Sequence, residues 1–411
     1  MIYHIVGCAL VSVLLPALVA VAQSANELLY FSNQTGPFQL YQGKPDGSNP
    51  KLLIREPGYN YWWVYAHPNY TKFITYRSDT ATGKNQNDYE NAELWQYDSS
   101  GSDPVLLIDK KTHHWSAHGV AKYSPDGHKL IMAAVPGGQD WWYGFVTDSG
   151  GHYPKQISRW WMIDPAWSPD GSKIVFCGFP NNTPTFDLTK LELFVAEYDR
   201  TADTIRTPVQ ITSGTGRVHD PCFSHRGDRI AFSDGNMAYS DADIKVVDIT
   251  GDNLTTLVDD NGANGGSIFW SCDDAEIWYH NVTLFVNDFQ IRNVNLATRA
   301  ITHVLKNVNN AFISAHMLCG SVASAQVPGS KLNSEVQPNP FMQQTELRTD
   351  IPLWDATLTV YTMVGQTVRE LHHLNGEGVV FPRDELPAGM YVGQLSQNNQ
   401  IIATVKLFII N

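Results

Sequence analysis

Tyr123-Ser124-Pro125-Asp126-Gly127-His128-Lys129-Leu130-Ile131-Met132 recurs almost unchanged as Trp167-Ser168-Pro169-Asp170-Gly171-Ser172-Lys173-Ile174-Val175-Phe176. Weaker copies stand at Phe223-Ser224-His225-Arg226-Gly227-Asp228-Arg229-Ile230-Ala231-Phe232 and Trp270-Ser271-Cys272-Asp273-Asp274-Ala275-Glu276-Ile277-Trp278-Tyr279. Upstream, Ala66-His67-Pro68-Asn69-Tyr70-Thr71-Lys72-Phe73-Ile74 keeps the same rhythm. In the two full copies an aromatic residue ends a strand, Pro sets φ in the turn, Asp accepts backbone donors and Gly tolerates a tight approach. An alternating apolar run, usually led by a basic residue, starts the next strand. Each copy is therefore a hairpin turn. A single hairpin buries only part of its surface, so units repeating every roughly 45 to 55 residues must pack side by side about an axis.

Working outward, the units fall at 59–108, 113–157, 160–212, 214–258 and 262–305. Residues 27–32, 38–41 and 50–54 supply three strands of one more unit, whose innermost strand is expected from 311–319 at the far end of the array. Closing the ring with strands from both ends removes an exposed edge. The expected fold is all-β: a six-bladed β-propeller over 23–320, a linker at 321–337 without large apolar periodicity, and a small immunoglobulin-like β-sandwich at 338–411.

The Ser-Pro-Asp-Gly-x-Lys-Ile unit resembles the propeller repeats of the TolB type, which also occur in the non-catalytic domain of prolyl oligopeptidases. The resemblance covers about 28–320 and implies four antiparallel strands per blade. The tail resembles the type A C-terminal sorting domain of the type IX secretion system. Pro338-Asn339-Pro340-Phe341, Val360-Tyr361 with Gly365-Gln366-Thr367-Val368, Leu386-Pro387-Ala388-Gly389-Met390-Tyr391, and Lys406 near the last strand carry that resemblance. It implies recognition of Pro338, Asn339, Pro340, Gly365, Gly389, Tyr391 and Lys406 by the outer-membrane machinery of a Bacteroidetes-type bacterium. The apolar run 8–22 reads as the end of a secretory signal peptide spanning 1–22. The mature chain is thus expected to be secreted or held at the outer cell surface, after passing the periplasm, with no membrane span.

A net charge of −13 argues against a nucleic-acid partner. Cys177, Cys222, Cys272 and Cys319 remain after the leader; a disulfide is first expected between Cys177 and Cys222, and buried free thiols fit the same positions.

Propeller chemistry sits in loops around the channel, just before the innermost strands. Those positions hold Trp62 and Trp63; His114, Trp115 and His118; Trp160, Trp161 and Asp164; and Arg217, His219 and Asp220. Trp faces flanked by Asp and His suit stacking on sugar rings; strand alternation equally sends one Trp of each pair into the core. No cofactor is expected, and a divalent cation on His118, His219, Asp164 and Asp220 is the alternative those residues leave open. Against it, the Asp in Asp164-Pro165 and Asp220-Pro221 can instead bond loop amides. The chain has no Gly-x-Ser-x-Gly elbow, P-loop or His-Glu-x-x-His motif. A glycan-binding or envelope-protein-binding module is the leading expectation. A propeller carbohydrate-active enzyme, a metal-assisted hydrolase or a lyase using His113, His118, Arg217 and His219, is the alternative.

Overall fold

The computed structural model describes residues 26–82, 88–109, 111–185, 187–236, 241–260, 262–283, 288–306, 312–319, 335–362, 367–397 and 400–410. Among them the chain is nearly all β, with three short 3-10 turns and no α-helix. The signal segment 1–22 and Gly365 lie outside the described residues. No helix of the described residues is long and apolar enough to cross a membrane.

Strands Tyr59–Ala66, Lys72–Asp79, Glu93–Asp98 and Val105–Ile108 form an antiparallel meander. The same arrangement repeats from Trp115–Tyr123 to Lys155–Trp161, and from Ile163–Trp167, where the fourth position is split between Thr204–Ile205 and Val209–Gln210. It repeats again from Val218–Phe223 to Thr255–Val258 and from Ala263–Trp270 to Ile301–Leu305. The last two meanders touch through one parallel pair, Ala242 with Ala263. Strands Glu27–Ser32, Gln39–Gly43 and Lys51–Leu52 take their inner partner from Phe312–Leu318, with Leu29 opposite His316. Each inner strand contacts the inner strand of the next meander, and Phe312–Leu318 touches both Ala263–Trp270 and Tyr59–Ala66. The ring is therefore closed by chain from its two ends, as the sequence reading expects.

The repeated turn is a hydrogen-bonded clasp. Ser124 Oγ donates to Asp126 Oδ1 at 2.5 Å, Asp126 accepts the His128 amide at 3.0 Å, and the Gly127 amide donates to the Ser124 carbonyl at 2.8 Å. Ser168, Asp170 and Gly171 reproduce this set. Gly127 has φ +75°, and a Cβ there would lie 2.2 Å from His67 Nε2, so this turn favours glycine. In the weakest copy Asp274 takes the glycine position at φ +57°. Its carboxylate reaches the preceding meander, accepting the His225 amide at 2.9 Å and the Arg226 amide at 3.1 Å.

Packing is between sheets. Trp62, Trp63, Leu94, Trp115, Leu130 and Phe145 share one buried cluster between the meanders at 59–108 and 115–161. Cys177, Phe179, Leu193, Val218 and Phe232 share another, further round the ring. Both faces of each sheet are covered by neighbours, which is why the strands carry more apolar residues than simple alternation requires.

The disulfide differs from the sequence expectation. Cys272 is bonded to Cys319, with Cα atoms 5.5 Å apart, while Cys177 and Cys222 are free. Cys272 follows inner strand Ala263–Trp270 and Cys319 follows Phe312–Leu318, which are neighbours in the ring. Cys177 sits in the second strand opposite Ile163 and is enclosed by apolar side chains.

The tail forms its own five-stranded sheet from Glu335–Gln337, Gln344–Thr362, Thr367–Pro382, Gly389–Gln397 and Gln400–Ile409, over a separate core. It thus begins inside the segment expected to be linker. Asn339 Oδ1 accepts the Phe408 amide at 2.8 Å, and the Phe341 amide donates to the Phe408 carbonyl at 2.9 Å. Pro338 accepts from Thr345 Oγ1 at 2.7 Å, and Pro340 leads directly into buried Phe341. Tyr391 Oη donates to the Pro387 carbonyl at 2.9 Å, Gly389 pairs with Ile409, and Lys406 pairs with Val392. The motif residues thus lace the terminal strand to the start of the tail. Trp354 of this tail lies 3.7 Å below the Arg200 guanidinium of the ring.

Closing a loop of 47 residues by a disulfide is worth about 4 kcal/mol of chain entropy. Replacing both Cys272 and Cys319 with Ser is expected to lower the ring's unfolding free energy by about that amount, read from urea melts. Unchanged stability would mean that strand pairing alone holds the closure.

Candidate functional site

Each inner strand carries a register irregularity at the same place. In five of them a left-handed residue lies three positions before the strand's last: Trp63 (φ 51°), Val120 (56°), Asp164 (50°), Asp220 (50°) and Ser267 (86°). Such conformations cost about 1–3 kcal/mol at a non-glycine residue and persist only where surroundings impose them. A bulge of this kind re-aims the side chains that follow it. Cross-strand pairing equates His316, Tyr65, Lys122, Ala166, Cys222 and Phe269, opposite Leu29, Ile74, Ile131, Val175, Ala231 and Trp278 respectively.

Four of these positions, Tyr65, Lys122, Cys222 and His316, converge, while Ala166 and Phe269 pack into the clusters between sheets. The Tyr65 ring centroid lies 5.6 Å from that of His316, and Lys122 Nζ is 5.5 Å from the Tyr65 ring. Tyr65, Lys122, Asp164, Cys222 and His316 are enclosed by protein yet keep a solvent-reachable face, as a narrow axial channel requires. Asp164 Oδ2 accepts the Asp220 amide at 3.4 Å, and Asp220 Oδ2 accepts the Gly266 amide at 2.9 Å. Carboxylates at successive bulges thus tie three meanders together, the amide-bonding role the sequence left open.

Electrostatics follow from enclosure. Burial raises the carboxyl of Asp164, and burial with the neighbouring Asp164 charge raises that of Asp220. Burial lowers Lys122 despite attraction from Asp164 and Asp220, and lowers the Arg217 guanidinium. Burial also lifts Tyr65 and Tyr89 well above the usual phenol range, and the nearby carboxylates add to this.

The expected site residues separate into three groups. Asp164, Asp220 and Arg217 belong to the axial cluster. The tryptophans do not form an open stacking surface: Trp62, Trp63, Trp115 and Trp161 are buried and Trp160 is half-buried against Phe194. Trp62 stacks on Tyr76 and donates to Ser78 Oγ, Trp115 packs on Phe145, and Trp161 on Phe179. Both members of the pair Trp62-Trp63 enter the core because the bulge at Trp63 interrupts alternation and both sheet faces are covered. His118 is buried between Tyr76 and Trp115, away from the axial carboxylates. His114 is exposed, and His219 is mostly enclosed beside Arg217. Among the described residues no three His, Cys, Asp or Glu side chains are placed to hold a metal ion, so His118, His219, Asp164 and Asp220 do not meet as one ligand set.

Lys122, Tyr89 and His316 were missed as site residues. The signal is the penultimate position of the strand for Lys122 and the pairing opposite Leu29 for His316; Tyr89 lies outside the strands and has none. Tyr89 packs over Gly119, where a Cβ would meet its ring at 2.3 Å.

The fold is that of TolB-like β-propellers. The structure of TolB from Acinetobacter baumannii matches with a TM-score of 0.55 at 14% identity, covering 71% of this chain and 66% of that one. A putative TolB from Agrobacterium tumefaciens matches at 0.50 and 14% identity, over 71% of this chain and 97% of that one. A chain of a nidogen/laminin complex matches at 0.52 and 8% identity, over 72% of this chain and 99% of that one. No family model matches the sequence, and no curated protein matches it.

Burial depresses His118, His280 and His316 to about 4 and, with the charge of Arg217, depresses His219 to about 3. Because these folded values lie below the unfolded value near 6.5, their stabilising contribution is complete above that pH and is lost as pH falls towards 4. Asp164 and Asp220 act oppositely, their contribution fading as pH rises above the ordinary carboxylate range. Thermal melts should therefore decline from pH 6.5 to 4, and His118→Gln should reduce the linked proton uptake by about one. An acid limb of unchanged slope in that variant would refute the neutral, buried His118.

Proposed function

We propose that this chain is an exported binding module: a six-bladed propeller whose axial face takes a glycan or protein ligand. Its immunoglobulin-like tail is a type IX sorting domain, and the mature protein is secreted or displayed on the outer surface. The observation carrying the binding role is the convergence of Tyr65, Lys122, Asp164, Asp220 and His316, polar residues from five sheets, on one axis. The nidogen/laminin complex among the fold neighbours supports ligand capture on such a scaffold. The sorting role is supported by the way Asn339, Phe341 and Tyr391 organise the terminal strand.

One observation favours the enzymatic alternative, a polysaccharide lyase or hydrolase: a lowered lysine beside raised carboxyls is the arrangement of poised acid and base groups. The two readings part in a glycan-array and polysaccharide-digestion assay of the mature chain, with and without a chelator. Binding without turnover is expected; turnover would replace the module with an enzyme, and loss on chelation would make it metal-assisted. Deleting 338–411 should leave the protein in the periplasm of a type IX-competent host. Normal secretion of the truncated chain would remove the sorting role.

A further inference from the structure

Several basic side chains of the ring are held in ion pairs. Arg77 meets Glu56 at 2.6 Å and Glu93 at 2.8 Å, Lys173 meets Glu197 at 2.8 Å, Lys245 meets Asp234 at 2.6 Å, and Arg292 meets Asp260 at 2.9 Å. Lys122 departs from this. Among the described residues its ammonium makes no hydrogen bond or ion pair, although it is largely enclosed by protein and lies over the Tyr65 ring. Arg217, facing the same Asp164 and Asp220, has a buried Nε without a hydrogen-bond partner. A largely enclosed ammonium and a buried guanidinium Nε, both without a hydrogen-bond partner, are costly, so an arrangement that keeps them is one that a ligand completes.

The unused capacity is mostly cationic. Asp164 and Asp220 each already accept a backbone amide, whereas Lys122 has three donors to give and Arg217 a fork suited to two carboxylate oxygens. The ligand group is therefore an anion. The two aspartates disfavour a dianion such as a phosphate, which leaves a monoanionic carboxylate. Hydroxyls beside that carboxylate would serve the remaining lone pairs of Asp164 and Asp220. We infer that the channel is a carboxylate-recognition site in which Lys122 and Arg217 hold the carboxyl group of a sugar acid. This rests on the binding role proposed above and narrows its ligand.

The test titrates the mature chain calorimetrically with D-glucuronate, D-glucose and L-lactate, and repeats it with Lys122→Met, Arg217→Met and Asp220→Asn, each checked for an unchanged melt. Asn keeps an acceptor for the Gly266 amide and tolerates the left-handed backbone, so Asp220→Asn keeps the fold. D-glucuronate should bind at least about tenfold more tightly than D-glucose, and Lys122→Met or Arg217→Met should each erase about tenfold, the scale of a hydrogen bond to a charged group. Asp220→Asn should strengthen binding several-fold by removing a repelling charge. Equal affinity for L-lactate would overturn the sugar, and glucuronate binding indifferent to Lys122 and Arg217 would overturn the site. Glycan-array binding confined to neutral sugars would overturn this inference while leaving the module intact; failure of both assays would remove both.

Discussion

Everything in the ring depends on one pairing between segments some 290 residues apart: Leu28, Leu29 and Tyr30 against Met317, His316 and Ala315. Until Phe312–Leu318 docks, the first sheet lacks its inner strand and two edges stand open. Such non-local pairing must overcome a large loop-closure entropy before it is rewarded. The Cys272–Cys319 bond shortens that loop, fixing the closing strand to the preceding inner strand. Closure also completes the axis, because His316 arrives on this strand beside Tyr65. Fold and site are thus finished by the same event.

The axis shows how a strained backbone becomes a repeated tool. At five bulges the chain spends conformational energy on a left-handed residue, and at two of them an aspartate recovers some of it through an amide of the next sheet. The result is a lining of mixed charge held by main-chain contacts. Net charge reveals none of this: a chain at −13 still gathers Lys122 and Arg217 at its centre. The remainder of the negative charge lies elsewhere, much of it on turn aspartates such as Asp46, Asp98 and Asp187, whose carboxyls are lowered by local hydrogen bonds.

Much of the fold could be read from the chain. Ser124 to Met132 and Ser168 to Phe176 located the turns, and the missing inner strand of the first unit pointed to 311–319. In the tail, the strands at 355–361, 367–371 and 403–409 could be read from their alternation. The site was less legible. Asp164 and Asp220 were visible through their following prolines, but Lys122 lay in an apolar run where alternation, broken at Val120, no longer tells inside from outside. The tryptophans misled because chemical aptitude for sugar stacking is also aptitude for filling the space between sheets, and packing took them. The disulfide escaped because, although 311–319 was expected to close the ring, nothing in the spacing of Cys272 and Cys319 marks the ends of two neighbouring inner strands as close enough to bond.

Asp274 shows what drift of a repeat accomplishes. By substituting for glycine it keeps the left-handed turn, since a short polar residue tolerates that conformation. The carboxylate then fastens the turn to His225 and Arg226 of the preceding unit, beside the disulfide at Cys272. A consensus redesign that restored the ancestral-looking glycine would make the sequence more regular and the assembly looser. In this chain the departure from periodicity is the fastening between modules, and regularity is a poor guide to engineering it.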